Sequence, residues 1–294
     1  MSPSTELYRN IKYIKDDRFD IDSLHHYDLS LIIGDRDFQL CVIDQRENRC
    51  LLIEDYILSA YSSEDEKINM LAQLFESHTL LMAGFWNSVK LAIKGNHFSM
   101  VPCHLFDEEY APEYLQHLSP VSPDRDLYFA YRFNYAETTC VFSANRKTIH
   151  WIRSHYPNLH IQIVHQSAAL LEGVLHHNQE EKLQVHLMID RFKLHVMVHK
   201  GTHLKYYNQF LIKNFDDYIR YSLIVFHEFS LNPKESEVKV SGFIKEGSAH
   251  LNELRKHFPN IVLTEKPRHI KFSFHFDEVE DHQYVDLLHL SLCE

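Results

Sequence analysis

Two stretches decide the fold because they say the same thing twice: Leu29-Ser30-Leu31-Ile32-Ile33-Gly34-Asp35-Arg36-Asp37-Phe38-Gln39-Leu40-Cys41-Val42-Ile43, and Val185-His186-Leu187-Met188-Ile189-Asp190-Arg191-Phe192-Lys193-Leu194-His195-Val196-Met197-Val198. Each is an apolar run, a short polar tip containing Asp-Arg, and a second apolar run, which is the pattern of two strands joined by a tight turn. Each is followed by a polar link and a third strand, at residues 50–58 and 204–212. Each then reaches an acidic helix start, Ser62-Ser63-Glu64-Asp65 in one copy and Asn214-Phe215-Asp216-Asp217 in the other. Ser63 is a natural N-cap, because its hydroxyl can accept from the otherwise unpaired amides of a first helical turn. A duplication of this size predicts two similar lobes facing each other across a cleft.

Working outward, Ile68, Leu71, Leu74 and Phe75 fall on one face of a helix from Ser63 to about residue 77. Residues 89–93 and 98–101 read as a strand pair around Lys94-Gly95-Asn96-His97, ended by Pro102. A helix over 107–118, a loop over 119–124 and strands over 127–133 and 138–142 follow. A helix over 145–156, a strand over 159–164 and a helix over 166–177 close the first half. The second half continues with helices over 215–229 and 248–258, strands over 238–240 and 261–263, and a short amphipathic tail over 285–292. Residues up to about 23 read as a polar lead-in with room for one strand or helical turn. The polar run 176–182 places the boundary, giving a first lobe over 1–178, with an inserted subdomain near 80–135, and a second lobe over 179–294. Three antiparallel strands followed by alternating helices and parallel strands require a mixed sheet covered by helices, an α/β fold.

Composition narrows the function classes. With 45% apolar and 24% charged residues among 294, the chain reads as globular, and a core of this size needs no disulfide or metal. A net charge of −11 repels phosphate backbones, which argues against nucleic-acid binding. Five cysteines without CxxC spacing read as reduced, mostly buried thiols. The N-terminus lacks the basic and apolar regions of a signal peptide, and no apolar run is long enough to span a bilayer, so a cytoplasmic protein without direct membrane insertion is expected. The 23 histidines would shift the net charge far toward positive if all were protonated, so solubility should depend on pH.

The duplicated order resembles the actin/Hsp70/sugar-kinase superfamily, whose lobes are each a ribonuclease-H-like unit. Residues Leu159-His160-Ile161-Gln162-Ile163-Val164-His165-Gln166-Ser167-Ala168-Ala169-Leu170-Leu171 are similar to the last strand and helix of the first lobe in degenerate actin-like subunits of pilus assembly and type II secretion. The run Phe98-Ser99-Met100-Val101-Pro102-Cys103-His104-Leu105-Phe106 looks like a family of uncharacterised bacterial proteins with this fold.

In active members, the resemblance implies, the turn between the first two strands of each lobe carries Asp-x-Gly with a hydroxyl residue, a cradle for phosphate and Mg²⁺. The first turn here is Gly34-Asp35-Arg36-Asp37, with its glycine before the Asp and no hydroxyl; the second, Asp190-Arg191-Phe192-Lys193, has no glycine. Short polar residues at such tips are also plain turn chemistry. If the site works, Asp35 and Asp190 face one cleft and hold Mg²⁺, while Arg36, Arg191 or Lys193 meets phosphate. The adenosine loop implied by the resemblance carries Gly-Gly; here Ser241-Gly242-Phe243 keeps one glycine, and Phe243 either stacks on a base or fills its place. Gly247-Ser248 reads as a cap for the next helix, or as an anion site there.

His195, His199 and His203 alternate along a strand, but His195 and His199 would lie ~13 Å apart at ~3.3 Å per residue, too far for one zinc. They read as solvent-facing. No HExxH, GxSxG, P-loop or GxGxxG occurs. The sequence therefore reads as a non-catalytic actin-like module that binds a protein partner, with no cofactor expected. The alternative is an ATP–Mg²⁺-binding enzyme or switch of the same superfamily.

Overall fold

The computed structural model describes residues 7–118, 122–176 and 180–294; the expected lobe boundary and the centre of the loop at 119–121 lie outside them. The elements are β1 (Tyr8–Lys15), β2 (Tyr27–Ile33), β3 (Asp37–Asp44), β4 (Arg49–Leu58), α1 (Glu64–Ser77), β5 (Ser88–Ile93), β6 (Phe98–Pro102), α2 (Glu113–Gln116), β7 (Asp126–Arg132), β8 (Thr138–Asn145), α3 (Arg146–His155), β9 (Ile161–His165) and α4 (Gln166–Leu175). The second half adds β10 (Leu183–Ile189), β11 (Lys193–Lys200), β12 (His203–Leu211), α5 (Phe215–Glu228), β13 (Val238–Gly242), α6 (Ala249–His257), β14 (Ile261–Leu263) and α7 (Val285–His289).

The duplication is real at the level of topology. The first large sheet runs β1-β4-β3-β2-β5-β9 and the second β12-β11-β10-β13-β14. Without β1 the first order is identical to the second: three antiparallel strands, then two parallel strands beside the first of them. Because β2 and β10 lie mid-sheet and are covered on both faces, they are almost wholly buried, which is why they read as unbroken apolar runs. Both helix starts are capped, Ser63 as the sequence predicts. Ser63 Oγ accepts from the Glu66 amide, and Asn214 with Asp217 forms a reciprocal capping box.

The polar lead-in contributes one strand, for which the sequence left room: β1, an edge strand on β4 whose Arg9, Lys12 and Lys15 discourage edge-to-edge pairing. Several expectations need correction. Residues 89–93 and 98–101 do not pair with each other: β5 joins β2 and β9 in parallel, whereas β6 leaves to a separate three-stranded sheet, β6-β8-β7. That sheet spans residues 98–145, between β5 and β9 in the chain. The helix expected over 107–118 shrinks to α2 and a preceding 3-10 turn. The C-terminal tail touches the second lobe at His282 and Tyr284 but packs chiefly into the first. Its Phe276, Tyr284, Leu287, Leu288 and Leu290 join the core of the first lobe, while α7 lies against α4. Each such leucine contributes ~1.5–3 kcal/mol by burial, so the tail ties one lobe to the other.

The five cysteines are free thiols, four of them buried. Among the described residues no helix is long and apolar enough to cross a membrane.

Candidate functional site

The two turns that open the sheets meet at the floor of the interlobe cleft. In the first, the Gly34 amide donates to the Asp37 carbonyl at 2.9 Å; in the second, the Asp190 amide donates to the Lys193 carbonyl at 2.9 Å. Ile33 pairs with Phe38 and Ile189 with Leu194. The equivalence fixed by hydrogen bonding is therefore Gly34 with Asp190 and Asp37 with Lys193. The repeated Asp-Arg of the sequence is one residue out of register. Asp35 and Arg36 are exposed at the tip, with Arg36 near the Phe192 ring, and the first-lobe carboxylate in the cleft is Asp37, only 3% exposed. The expectation that Asp35 and Arg36 line the cleft floor is corrected accordingly.

Gly34 gives Asp37 its room. A Cβ there would sit 1.9 Å from Asp37 Oδ1. Across the cleft, Asp190 is 4% exposed and Lys193 5%. Between the two acids lies Lys94, which follows β5. Its Nζ donates to Asp37 Oδ2 at 2.6 Å and lies 3.1 Å from both carboxylate oxygens of Asp190. Arg191 donates to Asp37 Oδ2 at 3.2 Å and to the fully buried Asp55, which also accepts from the Tyr284 hydroxyl at 2.9 Å. Gln166, at the start of α4, donates to Asp190 at 3.2 Å and to Asp286 of the tail at 2.7 Å. Lys193 turns away from the carboxylates and donates to the Lys94 carbonyl at 2.9 Å.

Burial sets the electrostatics and the ion pairs redirect them. Burial alone would raise the Asp190 carboxyl, but Lys94 overrides it and holds the group well below the usual carboxylate range. Burial also opposes the charge on Lys94, yet Asp190, Asp37 and Asp286 together lift its pKa above the ordinary lysine value. Asp286 and Asp55 are raised by burial, with Lys94 and Arg191 respectively pulling the other way. Burial lowers Lys193.

The loop after β13 closes the cleft wall. Gly242 has φ +96°, and a Cβ there would sit 2.2 Å from the Ile189 carbonyl oxygen, so only glycine fits. Its amide donates to His282 O at 2.8 Å, and the Phe243 amide donates to Ile189 O at 2.7 Å. The retained glycine thus serves an approach of the chain to itself. Phe243 lies under the Arg191 guanidinium at 4.1 Å and edge-on to Tyr284. Ser241 is buried one residue before the turn. Ser248 Oγ accepts from the Leu251 amide at 3.2 Å, a plain helix cap.

His195 and His199 are fully buried, not solvent-facing, because β11 lies between β10 and β12 and both its faces are covered. His195 Nδ1 is 2.8 Å from the Tyr207 hydroxyl, and His199 Nδ1 donates to Gly201 O at 2.8 Å. Among the described residues no group of His, Cys, Asp and Glu is arranged to hold a metal ion.

Sequence reasoning missed Lys94, Asp37, Asp55, Gln166, Tyr284 and Asp286. The second acid of Gly34-Asp35-Arg36-Asp37 was a visible signal, since only Asp37 precedes the next apolar run in the same register as Lys193. Nothing local marks the others.

Two lobes of one topology, closed on a turn from each, define a protein of the actin-like ATPase fold. The chain belongs to the family described as "Protein of unknown function (DUF3822)", whose model matches residues 16–261. It is similar to a Bacteroides thetaiotaomicron protein with actin-like ATPase fold and unknown function, at 17% identity and a TM-score of 0.77, over 94% of this chain and 99% of that one. It is also similar to a chain of the PilM–PilN type IV pilus biogenesis complex, at 14% identity and a TM-score of 0.59, over 90% of this chain and 97% of that one. No curated protein matches it.

Proposed function

We propose that this protein is a non-catalytic actin-like module of the cytoplasm that works by binding a protein partner. The observation that carries the reading is Lys94. Its ammonium stands between Asp37 and Asp190, where the resemblance implies a divalent cation held between turn carboxylates. The remaining donors do not suit a magnesium–nucleotide either. The turn amides of Gly34 and Asp190 are taken by carbonyls of their own hairpins. A phosphate would also face buried carboxylates, and Phe243 already has Arg191 against its ring. A cleft filled with internal ion pairs keeps the scaffold rigid and leaves the outer surface for recognition. That a similarly folded chain occurs in a complex named for pilus biogenesis accords with a protein partner.

The second reading, a nucleotide switch with Phe243 stacked on a base, would need Arg191 to leave that ring and Asp55 together. Thermal midpoints with and without millimolar ATP–Mg²⁺ and ADP–Mg²⁺ decide between them. A ligand at 100 times its dissociation constant adds about 2.7 kcal/mol, a shift of a few degrees. No shift is expected. A clear shift that Asp190→Asn removes would establish the switch instead.

A further inference from the structure

A second concave region lies away from the cleft floor. It has a volume of about 820 Å³ and lies between α4, the exposed side of β13–β14 and the segment 264–269. That volume falls within the ~300–1,000 Å³ of small-molecule sites. Leu170 and Val174 of α4, Met197 of β11, Leu263 and Val285 give it apolar walls.

Its polar groups are incomplete. Thr264 Oγ1 and His289 Nδ1 are both shielded from solvent and have no hydrogen-bond partner. Ser241, 7% exposed, lines the same wall. More than about 90% of buried polar groups in proteins find a partner, so two orphans beside one cavity are unusual, although both atoms lie behind its surface and the hydroxyl presented to it is that of Ser241. His289 reaches the wall because α4 has a glycine in its middle. A Cβ on Gly173 would lie 1.7 Å from His289 Nδ1. Glycine inside a helix costs ~1 kcal/mol relative to alanine, and here it admits the imidazole.

The charge of the lining runs against that of the chain. In a protein of net −11, three cations, Lys239, Lys266 and Arg268, line the cavity, with Glu265 among the lining and further carboxylates behind it. Lys266 is paired with Asp277 and Asp281, and Arg268 with Glu265, while Lys239 Nζ lies 3.3 Å from the Gln184 side-chain oxygen and 3.6 Å from Glu180. Burial lowers the pKa values of His269 and His289, whose rings stack, so they offer neutral imidazoles.

From these features we propose that the cavity between α4, β13–β14 and residues 264–269 binds a small organic anion with an apolar body. The apolar walls take the body, Lys239 and Arg268 draw the anion, and Ser241 supplies a hydrogen bond. This site is separate from the cleft floor and does not depend on the function proposed above.

The test is titration calorimetry of the full chain with 1-naphthyl phosphate and with decanoate, beside inorganic phosphate and 1-naphthol. At least one of the two amphiphilic anions should bind with a dissociation constant of about 100 µM or tighter, and its matched fragments at least about tenfold more weakly. Lys239→Met should weaken binding about tenfold or more. Arg268→Ala, at an exposed position that leaves the fold untouched, should weaken it severalfold. The proposal is overturned if neither anion binds below about 1 mM, the outcome for a cavity that simply holds water. It is equally overturned if inorganic phosphate or 1-naphthol binds as well as the naphthyl ester, or if both variants leave the affinity unchanged.

Discussion

The Lys94 ammonium lies 3.1 Å from the Asp190 carboxylate, and this pair joins the first lobe to the second at the floor of the cleft. Both groups are about 4% exposed, so neither can rely on water for its charge. Removing one partner of a buried pair costs more than the pair contributes, because the other charge is left stranded. Lys94→Met should therefore lower the unfolding free energy by about 3–5 kcal/mol in urea titrations. A loss below about 1 kcal/mol would mean that the carboxylates are hydrated.

Asp35 and Asp37 separate the two registers of the turn. Asp35→Asn changes an exposed tip and should move stability by no more than about 0.5 kcal/mol. Asp37→Asn removes the charge facing both Lys94 and Arg191 and should destabilise the protein by about 2 kcal/mol or more. Equal effects in denaturant unfolding would contradict the assignment of Asp37 as the cleft acid.

Two glycines make a matched pair of steric tests. Gly242→Ala would force a side chain onto the Ile189 backbone at φ +96° and should cost about 2–4 kcal/mol, since backbone cannot step aside. Gly173→Ala meets only the His289 ring and should cost less, about 1–2 kcal/mol, with the ring displaced. Chemical denaturation of both variants gives the order, and the reverse order would refute it.

Acid should unfold this protein through its histidines before its carboxylates. Burial lowers His165 and His195 to about 3, below the ordinary value of about 6.5. The fold keeps both neutral, whereas the unfolded chain takes up protons as pH falls through that value. Their contribution is thus whole above about pH 6.5 and drains below it, by up to about 1.4 kcal/mol per histidine per pH unit. Asp190 acts lower: its pKa is depressed by Lys94, so its contribution is present above about pH 4 and lost beneath that. Urea midpoints should fall steeply from about pH 6.5 to about pH 5, and His165→Gln should flatten the slope by up to one proton. A level profile over that range would rule out the buried neutral histidines.

The sequence by itself determined what is local. Apolar runs broken by short polar tips gave the two opening hairpins, and Ser63 announced its helix by cap chemistry. These features are legible because each is settled within a few residues by backbone sterics and nearby hydrogen bonds. The tertiary structure alone decided which strands pair, so β5 and β6 could pass for a hairpin although they belong to different sheets. It alone placed the tail on the opposite lobe, buried His195 and His199 by covering both faces of β11, and made Lys94 the cation of the cleft. Lys94 is 57 residues from Asp37 and 96 from Asp190 in sequence. A charge gains such partners only where separate segments converge and exclude water, and no local pattern records that convergence.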